Sequence, residues 1–179
     1  MKKHILFLAI VCSLLLTNCN NKPSLQTYFV DNQEKASFTT FDINPSILNV
    51  DKTKLTPQEN ETIKSFQKMN VLAFKIDDKN KTQYKVEKEK VRTILKDTAN
   101  YHPLMKFGMG SQGVSISYVG TDDNIKEFVL FGNQDENGFG VVRVLGNNMK
   151  PENAMNLISI LKNSNIDTEQ FKVLKDIMK

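Results

Sequence analysis

The chain has 179 residues, 40% of them apolar and 25% charged, which excludes a disordered or collagen-like protein and favours one ordinary domain. Its 22 Lys against 2 Arg, with 19 Asn, read as the usage of an AT-rich genome. A nucleic-acid surface would show more Arg forks.

Lys2 and Lys3 form a basic start, followed by a run of mostly apolar residues from Ile5 to Leu16. That run is too short to span a bilayer, which takes about 20 residues, and it fits a secretory signal. It ends in Leu16-Thr17-Asn18-Cys19, which resembles a bacterial lipobox, with Asn18 where Gly, Ala or Ser is usual. Cys12 is the poorer lipid acceptor, because it lies inside the apolar run. An ordinary cleaved signal with an incidental Cys19 is the plainer alternative. Residues 1–18 are therefore expected to be a lipoprotein signal peptide, 19–23 a lipidated Cys and short tether, and 24–179 a single α+β domain. Removal of the first 18 residues leaves 161, with 22 Lys and Arg against 20 Asp and Glu, a net of +2. His102 would then be the one imidazole, with no thiol left for a disulfide. The tether, Asn20 to Pro23, reaches about 14 Å at most.

Ser24 is a candidate N-cap for a short helix carrying Leu25, Tyr28 and Phe29. Ser37 to Ile43 reads as a strand that Asn44-Pro45 breaks. Thr56-Pro57-Gln58-Glu59 has the residues of a capping box with Pro at the first helical position, and the spacing of Ile63 and Phe66 predicts a helix to about Met69. Val71 to Ile76 reads as a buried strand. A polar loop, Asp77 to Thr82, leads to a helix over about Gln83 to Ala99, with Val91, Ile94, Leu95 and Thr98 at helical spacing. Four strands then form an antiparallel meander: Leu104 to Met109, Val114 to Val119, Ile125 to Phe131 and Phe139 to Leu145. Their connections carry turn residues, and Gly146-Asn147-Asn148 is expected to end the sheet. Pro151 opens a helix with Ala154, Leu157, Ile158 and Leu161 on one face. Asp167 and Gln170 suggest a last helix carrying Phe171, Leu174 and Met178. The fold class expected is a mostly antiparallel sheet, with a four-strand C-terminal meander, packed against several helices.

The lipobox, the strand Ser37 to Ile43 before Pro45, Tyr101-x-x-Leu104-Met105 and the strand Ile125-Lys126-Glu127-Phe128-Val129-Leu130 form one pattern. Val142-x-x-Leu145-Gly146 before the helix at Pro151 completes it. Together they resemble the domain-of-unknown-function 4252 family of Bacteroidota envelope lipoproteins. The resemblance runs from about Leu25 to Leu161. It implies an α+β lipoprotein of the cell envelope and brings no active-site residue with it.

Several local patterns invite sharper chemistry. Gly108-Met109-Gly110-Ser111-Gln112-Gly113 has dinucleotide-loop spacing, but Val114 to Tyr118 alternates as a strand and offers no helix N-terminus to a phosphate, so a hairpin turn is expected. His102 and Ser111 are the only hydrolase-like pair, and Ser111 lacks the G-x-S-x-G elbow. Asp122-Asp123-Asn124 and Asp135-Glu136-Asn137 bear oxygen ligands without calcium-loop spacing, and both fit hairpin turns. The cation-rich stretch from Lys75 to Lys96 reads as a solvated helix face, with contact to anionic headgroups as the alternative. It has no interleaved aromatic platforms for nucleic acid. Asp97-Thr98-Ala99 resembles the O-glycosylation motif of exported Bacteroidota proteins, with Thr98 as acceptor.

No catalytic, cofactor-binding or metal-ligating residue is assigned, and no cofactor is expected. The reading favoured is a non-catalytic binding or sensing module. It would be anchored through Cys19 in the outer membrane, face the periplasm, and have an unknown envelope protein or glycan as partner. The alternatives are a carboxylate-based hydrolase acting on an envelope glycan, and a structural spacer with a flat apolar sheet face.

Overall fold

The computed structural model describes residues 22–44, 55–108 and 112–163. The expected C-terminal helix with Phe171, Leu174 and Met178 lies outside these residues, as does the signal segment with Cys12 and Cys19.

Helix α1, Leu25–Asn32, starts where Ser24 Oγ accepts the Thr27 N–H at 3.1 Å. Strand β1 is Phe38–Ile43. Helix α2, Pro57–Ser65, begins with the expected capping box: Thr56 Oγ1 accepts the Glu59 N–H at 3.2 Å, and Glu59 Oε2 accepts the Thr56 N–H at 2.9 Å. It stops four residues short of Met69, because Phe66 already has extended dihedrals and opens β2, Phe66–Lys75. A register irregularity between Phe66 and Lys68 sets both Phe66 and Met69 into the core. An inserted residue shifts the strand's two-residue period, so the three-residue spacing imitates a helix.

Helix α3 is Lys81–Leu95. It ends before the expected Ala99, because Asp97 Oδ1 takes the Ala99 N–H at 3.2 Å and turns the chain. Thr98 is therefore exposed in a turn and does not share the helix's buried face. Strands β3, His102–Phe107, β4, Gln112–Thr121, β5, Asn124–Gln134, and β6, Gly138–Met149, follow, and then helix α4, Pro151–Asn163. The six strands form one antiparallel sheet in the order β1-β2-β6-β5-β4-β3. β6 is longer than expected: Met149 still pairs with Ile125 beyond Asn147-Asn148, across a register irregularity in β5.

Helices lie against both faces of the sheet. On one face, Ala154 and Leu157 of α4 pack on Ile43, Met69, Val71, Phe128 and Val144. On the other, Leu25 and Phe29 of α1 and Tyr84 and Val91 of α3 cover Phe38, Phe74, Phe131 and Phe139. There Phe74 and Phe139 stack at 5.5 Å between centroids, with Phe38 edge-on to Phe74 at 5.1 Å. This two-sided cover explains why β6 is buried continuously from Gly138 to Val144 instead of alternating. Among the described residues Phe107 is the one large apolar side chain of the sheet left exposed, so the bare apolar face needed by a spacer is not found there.

Leu157 is fully buried, whereas Leu95 packs only at the margin of its cluster. Leu157→Ala should cost about 2–5 kcal/mol, and Leu95→Ala about 1 kcal/mol. Urea unfolding at constant m-value separates the two; equal losses would mean that α4 does not close the core.

Candidate functional site

A cleft of about 650 Å3 opens between α2, the end of β6 and α4. Two backbone features shape it. A Cβ at Gly146 would lie 2.2 Å from the Ser65 carbonyl oxygen, so only glycine lets β6 press against the end of α2. Asn148 sits at φ 52°, a left-handed conformation that asparagine tolerates better than most residues, and the chain enters α4 just beyond it.

The floor is fixed by Thr62 of α2, which is fully buried. Its Oγ1 accepts the Asn153 Nδ2–H at 2.7 Å and the Asn156 Nδ2–H at 2.9 Å, which ties α4 to α2. Asn153 Oδ1 accepts the Lys150 N–H at 2.6 Å and so also caps α4. Below it, Glu59 Oε1 takes the Ser159 hydroxyl at 2.8 Å. The backbone N–H of Thr56, then the Ser159 hydroxyl, holds the Glu59 carboxyl below its ordinary range. The cleft is otherwise lined by the amides of Gln58, Asn147 and Asn148, which bond to no other described residue. Glu61 pairs with Lys64 at 2.7 Å, both well exposed, while Lys150 and Glu152 contribute one charge of each sign. Each carboxamide offers adjacent donors and acceptor. The arrangement holds and orients polar groups. Its carboxylates, Glu61 and Glu152, lie in water and lack the dry setting a general acid needs.

A second groove of about 570 Å3 runs between α1 and α3 from Pro23 past Tyr28 to Ile94, with Val86 on its lip. At its base the Tyr28 hydroxyl donates to Glu87 Oε2 at 2.9 Å, and Lys90 meets Glu87 Oε1 at 2.8 Å.

Among the described residues, the chemical motifs singled out from sequence are scattered, and none lines the cleft. His102 stands on β3, its ring 5.1 Å from that of Tyr118; Ser111 lies outside the described residues. Gly108, at φ 80°, and Gly113 flank the β3–β4 connection, where Phe107 pairs with Val114, so the glycine pattern belongs to a hairpin. Asp122-Asp123 form the two-residue turn between β4 and β5, and the Asp122 carboxylate accepts the Tyr118 hydroxyl. Asp135 was expected to serve only its turn. It also clasps α3, accepting the Tyr84 hydroxyl at 2.6 Å and the Lys88 ammonium at 2.7 Å. That ammonium, then the Tyr84 hydroxyl, holds its carboxyl below the usual range. The basic stretch of α3 is largely neutralised in place, through Lys88–Asp135, Lys90–Glu87 and Arg92–Glu89. Among the described residues no cluster of three or more His, Cys, Asp or Glu is placed to hold a metal, and no helix is long and apolar enough to cross a membrane.

The sequence reading missed a buried ion pair in β5 and β6. Arg143 Nε and Nη2 donate to Glu127 Oε1 and Oε2 at 2.7 and 2.9 Å. Nη1 reaches Gln26 Oε1 of α1 at 2.5 Å, and the guanidinium lies 5.5 Å from the Phe29 ring centroid. One signal was available: this is one of two arginines beside 22 lysines, and a rigid fork is what a bidentate, ring-stacked site requires.

Sheet, helices and cleft together define an α+β domain with helices on both sheet faces and a polar cleft at one end. The chain belongs to the family described as a domain of unknown function, DUF4252, whose model matches residues 28–157. The match runs from within α1 to the middle of α4, so it takes in the whole sheet, all of α2 and the first half of α4, and it agrees with the resemblance read from the strand motifs. Comparison with curated proteins and with solved structures gives no match.

Proposed function

We propose that this protein is a lipid-anchored envelope protein acting as a non-catalytic binding or sensing module, held through Cys19 on the periplasmic side of the outer membrane. The observation that carries the binding role is the cleft, where Thr62 fixes the amides of Asn153 and Asn156 while those of Gln58, Asn147 and Asn148 bond to no other described residue. The anchor is supported by the basic start, the short apolar run and the lipobox-like Leu16-Thr17-Asn18-Cys19. It is also supported by the position of α1, which begins six residues after Cys19. A fold held so close to the bilayer is suited to meeting other envelope components.

The test is complementation of a deletion strain with fractionation of the cells. Cys19→Ser should lose fatty-acid labelling, move to the soluble periplasmic fraction and fail to complement. His102→Ala and the Asp122→Ala/Asp123→Ala pair should stay anchored and complement. Persistent membrane association of Cys19→Ser would remove the anchor. A folded, anchored His102→Ala variant as defective as the deletion would instead favour a hydrolase. Intact masses of the same fractions read the proposed glycosylation of Thr98, which is exposed in the turn after α3: the wild type should exceed Thr98→Ala by a glycan, and equal glycan content would exclude the site.

A further inference from the structure

We propose that the cleft between α2 and α4 binds a neutral, hydroxyl-rich glycan through its carboxamides. The proposal rests on the reading of the protein as a binding module and names the ligand class for its cleft. The chemistry of the lining selects that class. The carboxamides of Gln58, Asn147 and Asn148 bond to no other described residue, and each has donors beside an acceptor. Vicinal sugar hydroxyls also donate and accept on adjacent atoms, so an amide meets a diol with both of its functions used.

Charge points the same way. Glu61 and Lys64 neutralise each other, and Lys150 and Glu152 cancel, so the described lining residues present no net charge to attract a polyanion or a polycation. Among the described lining residues apolar chemistry is scarce: Pro57 is the one apolar side chain, and no aromatic ring offers a base or an apolar peptide side chain a surface to stack on. Part of the lining is preorganised, which lowers the entropy lost on binding. Asn153 and Asn156 are both fixed by the buried Thr62 hydroxyl, and Asn148 is held at the left-handed turn into α4. Thr62 acts here as a positioning residue.

The experiment titrates the full-length chain in detergent, 15N-labelled, with maltohexaose, chitohexaose and mannohexaose, and separately with a Gly-Ser repeat hexapeptide, following side-chain and backbone amide signals. At least one oligosaccharide should shift the Asn147, Asn148 and Asn156 amides while helices α1 and α3 on the far face of the sheet stay still. Asn147→Ala with Asn148→Gly keeps the left-handed backbone, since glycine accepts it freely, and should weaken that binding by about tenfold or more. Thr62→Val should weaken it while Thr62→Ser restores it, provided the sheet spectrum is unchanged. If Thr62→Val unfolds, the Asn147→Ala/Asn148→Gly protein decides alone. Absence of shifts with all three sugars, shifts only with the peptide, or undiminished binding by the double variant would each overturn the glycan assignment. None of these outcomes bears on the Cys19 fractionation, so the anchored module would survive them. Cleavage of a bound oligosaccharide during the titration would keep the ligand class and sink the non-catalytic reading instead.

Discussion

Arg143→Ala should cost about 3–5 kcal/mol of folding stability, the range for removing one partner of a buried ion pair. The Arg143 side chain is 7% exposed and that of Glu127 13%. Truncating the arginine leaves the Glu127 carboxylate dehydrated with both oxygens unpaired, and that penalty dominates the loss. The same change severs Gln26 and uncovers Phe29, so α1 loses its polar tie to the sheet. Hydrogen exchange should then rise in α1 before it rises in β5 or β6. Arg143→Lys should rescue little, because an ammonium cannot make the two parallel bonds. Arg143→Met with Glu127→Leu should recover most of the loss, because the net contribution of a buried pair is small once both charges are gone. Urea unfolding of the three variants beside the wild type decides it; a loss below about 1 kcal/mol for Arg143→Ala would mean that water reaches Glu127.

What was legible in the sequence follows the range of the interaction behind each feature. The Ser24 cap and the Thr56–Glu59 box are local, four-residue chemistry, and both stand in the structure as read. The meander was legible because its turns punctuate it at Gly108, at Asp122-Asp123 and near Gly138. Boundaries failed where a bulge changed the period. The spacing of Ile63 and Phe66 carried the expected helix to Met69 across the bulge that opens β2, and the β5 irregularity hid the pairing of Met149 beyond two asparagines. The cleft was not legible for a different reason. Thr62 and Asn153 are 91 positions apart, and in a chain with 19 asparagines the ones that line it do not stand out. Arg143 and Glu127 were equally hidden, because a charge in the middle of a strand ordinarily faces water.

Above about pH 10 the protein should lose stability steeply, at up to about 4 kcal/mol per pH unit. Tyr28, Tyr84 and Tyr101 are 7%, 3% and 7% exposed, and all three lie on the α1–α3 face of the sheet. Burial is the first cause raising each phenol above the ordinary value of 10.0; the Glu87 and Asp135 carboxylates bonded to Tyr28 and Tyr84 push the same way. With the folded pKa above the unfolded one, the native state binds more protons than the unfolded state between the two values. The stabilisation from keeping the phenols neutral is therefore complete below the unfolded value and is lost as pH climbs through the folded one. Each tyrosine contributes about 1.4 kcal/mol per pH unit in that window. A domain with about 5–15 kcal/mol of total stability would begin to unfold somewhere above about pH 11. Tyr118, half-buried beside β3, is raised chiefly by its bond to Asp122 and should ionise with the fold intact. Tyrosinate absorbance followed together with circular dichroism makes the distinction. One of the four tyrosines should titrate before the fold is lost and three only with it. Tyr84→Phe should reduce the alkaline slope by about a third, while Asp135 keeps its bond to Lys88. If all four phenols ionised near pH 10 with the sheet still formed, water would have to enter between α1, α3 and the sheet, and the packing described for that face would be wrong.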